Sequence, residues 1–490
     1  MPAQIIIFGA SGDLTAQKLV PALASLAGRE EPGQGFTLVG MARRDKTDAQ
    51  FREELAGLQD AGSRARVEAL APRIHYCAGD VREPAAIRAL QARLDQLPGG
   101  AQAGRLFYFS LMPDLFGPAV ENLHRAGMLE QPEGGPWRRV VVEKPFGHDL
   151  ASARALNQTL LGCLREEQIY RIDHYLGKET VQNLFAFRFN NTIFEPVWNR
   201  RHVELVQITV AETVGVEPGR AAYYDRAGAF NDMMQNHMLQ ILAMVAMEPP
   251  SSLDPEEVRG QKVSVLKSLR FRDRSGGSVR ARYGAGRVDG RAVPGYLEEG
   301  AVPGSGTETF VAVRAEIENW RWSGVPFLLR HGKRLPRRFT EVKVQFRTPP
   351  ILLSDPPAGS APEGPACSIR PNVLTLAIQP REAMSLSFSV KSPGAGMAMV
   401  PAELAFDYRD RFGGATTPAY QRLLLDALQG DPTLFLRADE VEASWRFADA
   451  VHRAWRGPAA PELLEYPAGS WGPAAADGLF QGCEGSWSRG

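Results

Sequence analysis

One short segment carries the densest set of ionisable side chains in the chain. The nine residues from Arg171 to Glu179 read RIDHYLGKE. The imidazole of His174, the hydroxyl of Tyr175 and the ammonium of Lys178 together suit the binding of a phosphate. Asp173, pointing the other way, is placed to orient a base. The alternative is a strand end with surface charges, but the density of ionisable residues favours a site.

A histidine that suits general-base chemistry, His237, lies in an apolar helical pattern from Ala227 to Met247. An unperturbed histidine titrates near neutral pH, so it can accept a proton from an alcohol. Asp232 and Asn236 flank it in the sequence. A histidine at the edge of an apolar face is more often a core residue than a base, and spacing alone does not decide.

A glycine-containing turn follows the first apolar run. Its residues are Gly9, Ala10, Ser11, Gly12, Asp13 and Leu14. Glycines allow the backbone to approach a pyrophosphate, whose charge is met by amides and a helix N-terminus. The G-x-x-G pattern is shorter than the full dinucleotide fingerprint, so an ordinary strand–helix turn is the alternative. The position between a strand and a helix favours a dinucleotide site.

The end of the second predicted strand indicates which dinucleotide is bound. NAD sites usually place an acid there, whereas NADP sites place an arginine. Arg43 and Arg44 follow this strand, and no acid appears before Asp45. A guanidinium matches a 2′-phosphate in a bidentate manner, so NADP is favoured. Two solvated arginines are the alternative, and Asp45 leaves NAD as a weaker possibility.

Two further basic features suggest anion binding. Lys144 lies in the motif EKPFG, at the carboxyl end of a predicted parallel strand, where ligands bind in open α/β sheets. A basic run from Arg330 to Arg338 includes Lys333. A solvated lysine and a solvated loop, respectively, are the alternatives.

The elements that must position these residues change character along the chain. In the first third, short apolar runs alternate with helical patterns, which predicts a parallel sheet covered by helices. Later, long strands such as residues 202–210 predict a large, mainly antiparallel sheet with helices on one face. The sequence thus predicts an α/β Rossmann-like dinucleotide-binding domain over residues 1–176 and an α+β domain over residues 177–490.

Composition excludes several classes of protein. The chain has 490 residues, with Lys+Arg 56 and Asp+Glu 56, which argues against a broadly basic protein that binds nucleic acid or a membrane surface. No segment reaches the ~18 apolar residues of a membrane helix. Cys77, Cys163, Cys367 and Cys483 are scattered, so we expect neither a disulfide framework nor a zinc site. We expect a soluble, cytoplasmic protein.

Together the motifs resemble those of glucose-6-phosphate dehydrogenases. The segments that carry the resemblance are Gly9–Leu14, Glu143–Gly147, Arg171–Glu179, Asp232–His237, Gly324–Phe327 and Gly332–Lys333. RIDHYLGKE is very specific to the family, and EKPFG and QNH in this order strengthen the resemblance. It is dense from about residue 4 to about residue 346 and sparser beyond.

The resemblance implies oxidation of glucose 6-phosphate at C1 to 6-phosphoglucono-1,5-lactone with hydride transfer to NADP, the first step of the oxidative pentose phosphate pathway. It implies that His237 is the general base and that Asp173 holds its imidazole. The implied substrate-binding residues are Lys144, His174, Tyr175, Lys178, Glu212, Asp232, Lys333, Arg338 and Gln379. The implied cofactor-binding residues are Gly9 to Leu14, Arg43 and Lys144. The family uses no metal, and its second domain binds substrate and forms the subunit interface of homodimers or homotetramers. The resemblance therefore implies substrate binding and dimerisation for residues 177–490.

Two features depart from the family pattern. Members with a second, structural NADP site carry aromatic and basic residues where this chain has Ala377 and Ser385–Ser387. We therefore expect no structural NADP site, and a second nucleotide in a saturated complex would refute this. Phe116 stands where many members have a tyrosine near the nicotinamide.

Two alternative functions stay open on the sequence. One is a dehydrogenase that uses another sugar phosphate with NAD or NADP. The other is a catalytically silent, NADP-binding assembly partner. The presence of Asp173, His174, Lys178 and His237 argues against the silent partner, which would have no need of them.

Overall fold

The strands form two large sheets and one two-stranded sheet. The computed structural model describes residues 2–28, 35–217, 219, 221–272, 276–351, 370–394, 397, 399–413, 417–483 and 485–490. The strands in this part of the chain are β1 (Ala3–Phe8), β2 (Phe36–Ala42), β3 (Ile74–Ala78), β4 (Gly104–Phe109), β5 (Arg138–Val142), β6 (Ile169–Ile172), β7 (Val203–Ala211), β8 (Leu269–Phe271), β9 (Ser278–Gly284), β10 (Gly286–Val288), β11 (Arg291–Val293), β12 (Phe310–Ile317), β13 (Pro326–Gly332), β14 (Phe339–Phe346), β15 (Val373–Gln379), β16 (Ala383–Lys391), β17 (Met399–Asp407), β18 (Phe435–Leu436) and β19 (Leu463–Pro467).

Helices connect and cover these strands. The α-helices are α1 (Val20–Ala27), α2 (Asp48–Gly57), α3 (Ala61–Leu70), α4 (Pro84–Asp95), α5 (Phe116–Arg125), α6 (Leu150–Cys163), α7 (Glu179–Phe189), α8 (Ala221–Ala229), α9 (Leu239–Ala246), α10 (Pro255–Ser268), α11 (Tyr408–Phe412), α12 (Ala419–Gln429) and α13 (Ala438–Arg456). Thr15–Leu19 and Phe230–Met238 are π-helical. Short 3₁₀ turns occupy Ala71–Arg73, Gly100–Gln102, Pro113–Leu115, Glu166–Gln168, Glu195–Val197, Tyr296–Glu298 and Ala474–Phe480.

The chain divides into two units. The first unit comprises Met1–Lys178, Pro250–Gln261 and Thr417–Trp445. The second unit comprises Glu179–Pro249, Lys262–Thr416 and Arg446–Gly490. The first unit thus includes two segments that lie far along the chain from its main part.

The first unit contains a seven-stranded sheet in the order β18-β6-β5-β4-β1-β2-β3. All neighbours are parallel except β18, which pairs antiparallel with β6. Every residue of β1 and β4 is buried, as expected for central parallel strands that have both faces covered. The predicted parallel sheet is confirmed. Strand β6 ends at Ile172, so Asp173 begins the connection that follows it.

The second unit contains a ten-stranded sheet. Its main path runs β17-β16-β15-β14-β7-β13-β12-β9-β19, and β8 pairs with β12. Among the described strands of this sheet, only the β7–β13 and β9–β19 pairs are parallel. The predicted fold class, a Rossmann-like α/β domain followed by a mainly antiparallel α+β domain, is confirmed. The helix predicted from Ala227 to Met247 is kinked at Gly228, whose φ of 65° does not fit a continuous helix.

None of the helices in the described residues has both the length and the hydrophobicity to cross a bilayer. Cys77, Cys163 and Cys483 are free thiols, and Cys367 lies outside the described residues.

Candidate active site

The turn after β1 lines a cleft of about 530 Å³ in the first unit. The N–H groups of Gly9 and Ala10 both donate to the Met41 carbonyl, at 2.9 and 3.2 Å. Gly9 has a φ of 79°, and a Cβ there would collide with the Ser110 carbonyl. A residue with a side chain would therefore not fit at this position of the turn.

The remaining residues of the turn lie either in the wall of the cleft or at the start of the helix that follows. Ser11 and Gly12 line the cleft, whereas Asp13 and Leu14 already have helical geometry. The ammonium of Lys46, a residue that the sequence analysis did not single out, lies 3.3 Å from the Ser11 hydroxyl. It therefore helps to fix the turn.

The two arginines after β2 both line the cleft and are exposed. The hydroxyl of Tyr76 donates to the carbonyls of Ala42 and Arg44, at 3.1 and 2.6 Å. These bonds fix the backbone that presents Arg43 and Arg44. Two exposed cations on a fixed loop suit a phosphate group.

A second charged pair lines the same cleft. Asp80 accepts hydrogen bonds from the Arg82 guanidinium at 3.0 and 2.6 Å. These bonds lower the pKa of Asp80 to about 2. The sequence analysis missed both residues, since a DVR triplet after a short strand carries no recognisable motif.

Lys144 follows β5 in the first unit and is half-buried, and the Lys144–Pro145 bond is cis. Its neighbour Glu143 is buried and accepts a hydrogen bond from the Tyr108 hydroxyl at 2.5 Å. Burial raises the pKa of Glu143 to about 6, although hydrogen bonds from Tyr108 and Tyr420 oppose the shift. The sequence analysis did not assign a role to this carboxyl group.

The connection after β6 brings the predicted phosphate ligands into one turn. Asp173 is buried and accepts the Tyr175 N–H at 2.9 Å. The ammonium of Lys178 lies 4.3 Å from the centre of the Tyr175 ring. The His174 ring lies parallel to the Tyr420 ring, with 6.0 Å between centroids. Cationic and hydrogen-bonding groups are therefore concentrated in this turn.

Phe116 begins α5 and is fully buried. Its ring stacks on that of Phe109, with 6.2 Å between centroids. Phe116 therefore contributes to the core of the first unit, at the end of β4.

In the second unit, Glu212 follows β7 and Lys333 follows β13. Because these strands are parallel neighbours, their carboxyl ends lie at the same edge of the sheet. The Lys333 ammonium donates to the Glu212 carboxylate at 2.6 Å. Burial alone would raise the pKa of Glu212, but Lys333 and His331 hold it below the usual value. Asp232 lies close enough to oppose this lowering.

His237 is 1% exposed and lies in the π-helical segment Phe230–Met238, which packs against β13. Asp232 is in the same segment, and its carbonyl accepts the Asn236 side-chain amide at 3.2 Å. Asn236 in turn accepts the His237 N–H at 2.6 Å. Asp232 and His237 thus lie in one segment of the second unit, whereas Asp173 belongs to the first unit.

The last two predicted substrate residues lie in or beside the same sheet. Gln379 ends β15, and its amide donates to the Thr340 hydroxyl at 2.9 Å. Arg338 is exposed in the loop between β13 and β14. The structure thus pairs Lys333 with Glu212, and Gln379 with Thr340.

Residues 6–183 match the family described as "Glucose-6-phosphate dehydrogenase, NAD binding domain", and residues 185–488 match "Glucose-6-phosphate dehydrogenase, C-terminal domain". The chain belongs to the glucose-6-phosphate dehydrogenase family. Glucose-6-phosphate 1-dehydrogenase of Aggregatibacter actinomycetemcomitans is 44% identical over 99% of this chain and 97% of its own length. The enzyme of the same name from Treponema pallidum is 42% identical over 99% and 95%.

A solved structure supports the same family. It is described as glucose-6-phosphate dehydrogenase in complex with its substrate glucose-6-phosphate, and it is 34% identical with a TM-score of 0.88. The match covers 99% of this chain and 98% of the other. Membership of the glucose-6-phosphate dehydrogenase family confirms the resemblance identified from the motifs.

The sequence analysis missed two residues beside the Glu212–Lys333 pair. The His331 imidazole is fully buried and donates from Nδ1 to the Val210 carbonyl at 2.9 Å. The ring of Tyr224 is also buried and lies 5.2 Å from the Lys333 ammonium. The only signal for His331 was its place in the basic run, and Tyr224 had none.

Proposed function

We propose that this chain oxidises glucose 6-phosphate at C1 to 6-phosphoglucono-1,5-lactone, with NADP as the hydride acceptor. The observation that carries the proposal is the concentration of His174, Tyr175 and Lys178 in one turn, within a chain of this family. The relatives named glucose-6-phosphate 1-dehydrogenase, and the solved structure that contains glucose 6-phosphate, support the substrate.

The reaction needs a base because an alcohol does not readily lose hydride while its oxygen keeps its proton. In the proposal, His237 accepts the C1 hydroxyl proton as the C1–H bond breaks and the carbonyl forms. Asp173 holds the imidazole and stabilises its protonated form. A positioned base typically contributes about 10²–10⁴-fold to the rate.

The remaining predicted residues orient the sugar. His174, Tyr175 and Lys178 hold the phosphate, which is remote from C1 and anchors the reacting end. The carboxylates of Glu212 and Asp232 accept hydrogen bonds from sugar hydroxyls. The residues proposed to complete the contacts with substrate are Lys144, Lys333, Arg338 and Gln379.

The cofactor preference is part of the proposal. The glycine turn and the volume of the cleft fit a dinucleotide, and NADP, when bound, supplies the carbon that accepts hydride. Arg43 binds the 2′-phosphate, so NADP is preferred and NAD is the weaker alternative. We further propose a cytoplasmic homodimer or homotetramer that needs no metal.

Absorbance at the NADPH band tests the proposal. Glucose 6-phosphate with NADP is expected to give turnover, with a lower kcat/KM for NAD and a much lower one for glucose. Equal use of glucose and glucose 6-phosphate would overturn the phosphate anchor. Faster turnover of another sugar phosphate would overturn the substrate, and no turnover with any of them would favour a silent assembly partner.

A further inference from the structure

A buried glutamate outside the predicted site contacts the helix that carries His237. Glu308 lies two residues before β12 and is 7% exposed. Its carboxylate accepts the Phe230 N–H at 3.1 Å, and its carbonyl accepts the Ala229 N–H at 3.0 Å. Both donors belong to the first turn after the kink, a position where backbone N–H groups have no partner within the helix. Glu308 therefore caps this helix from a distant part of the chain.

The backbone next to this cap is shaped around the carboxylate. Gly228 has a φ of 65°, and a Cβ at this position would collide with Glu308 Oε1. The kink that separates the helix from the preceding residues is thus the feature that admits the carboxylate. The cap therefore needs both residues, Gly228 to leave space and Glu308 to accept the hydrogen bond.

The charge of Glu308 affects the strength of this cap. A carboxylate accepts a stronger hydrogen bond than a neutral group, and it also complements the positive end of the helix dipole. Burial raises the pKa of Glu308 to about 7, although the Phe230 N–H and the Arg280 guanidinium favour the carboxylate. The titratable groups that act on it electrostatically are Arg280, from β9, and Tyr224, from α8.

We propose that Glu308 is a positioning residue: as a carboxylate it fixes the first turn of the helix that holds Asp232 and His237, and its protonation loosens that turn. The inference rests on the proposed function, because it assigns His237 and Asp232 to the reaction. His237 lies seven residues after Phe230 in the same π-helical segment. A shift at the start of the helix is therefore transmitted to both side chains.

The first test compares wild type with Glu308→Gln, because glutamine keeps an oxygen acceptor but resembles the protonated form. With glucose 6-phosphate, the kcat of wild type divided by the kcat of Glu308→Gln is expected to be about three to ten at pH 8.5. This ratio is expected to approach one at pH 5.5. The matched control is Glu465→Gln, whose carboxylate is largely exposed and pairs with Arg282. A control ratio near one at both pH values supports the assignment, whereas a Glu308→Gln ratio that does not change with pH overturns it.

The second test needs no substrate. Amide hydrogen exchange of a peptide covering residues 229–238 is expected to be about three to ten times faster in Glu308→Gln than in wild type at pH 8. The two proteins should exchange equally at pH 5.5. Equal exchange at pH 8 overturns the cap. Because this readout is independent of activity, absence of turnover with glucose 6-phosphate would contradict the proposed function without deciding the role of Glu308.

Discussion

Replacement of Lys333 by methionine isolates the electrostatic contribution of the Glu212–Lys333 pair. The charges are 2.6 Å apart, and both side chains are mostly buried. At an effective dielectric constant of about 20, this separation gives a gross attraction of about 6 kcal/mol. Desolvation offsets much of it, and removal of one partner of a buried pair costs about 3–5 kcal/mol. We expect Lys333→Met to lower the free energy of unfolding by about 3 kcal/mol, because Glu212 retains some access to water.

Urea unfolding at pH 7.5 measures this loss, and the double variant Glu212→Gln/Lys333→Met provides the control. The double variant leaves no uncompensated charge, so its stability is expected to return to within about 1 kcal/mol of wild type. Its affinity for glucose 6-phosphate should not recover, since both proposed sugar contacts are lost. A double variant that is less stable than Lys333→Met would refute the reasoning.

The same pair makes a prediction about pH. Lys333 lowers the pKa of Glu212 below its usual 4.5, so the stabilisation is complete above that pH and is lost as the pH falls through the folded-state value. In Lys333→Met, burial raises the pKa instead. The stability difference between the two proteins should therefore shrink as the pH is lowered from 7 to 4.

Three further substitutions separate the proposed roles. Gly9→Ala should raise KM for NADP about tenfold or more, because an alanine in the left-handed conformation costs about 1–2 kcal/mol and its Cβ would collide with Ser110. KM for glucose 6-phosphate should not change. Arg43→Ala should raise KM for NADP about tenfold or more but change KM for NAD less than twofold, and equal effects would contradict the 2′-phosphate role. Lys178→Ala should raise KM for glucose 6-phosphate about tenfold or more with little change in turnover of glucose, whereas a loss confined to kcat would contradict the phosphate anchor.

Strand positions were predictable where the apolar runs have the right period and length. Each strand predicted in the first third lies within or overlaps an observed strand, since buried parallel strands are continuously apolar. The kink at Gly228 was not predicted, because a single glycine in an apolar helical pattern is usually tolerated. The two residues of β18 are too few to give a pattern.

The proximity of candidate residues was predictable where they fall within one motif. Asp173 to Lys178 form a single turn, so their spacing in sequence reflects their spacing in the fold. Tyr420 and Glu308 are different, because each contacts its partner from a distant segment of the same unit. No local sequence pattern predicts such contacts. The roles of Gln379 and Arg338 stay predictions that depend on the family resemblance.

The most direct test of the account is the turnover of His237→Asn with glucose 6-phosphate and NADP, measured beside the calorimetric Kd for glucose 6-phosphate. The account predicts that kcat falls by about 10²–10⁴ while Kd changes less than about threefold, because asparagine cannot accept the C1 proton. A variant that keeps kcat within a few-fold of wild type would contradict the assignment of His237 as the base.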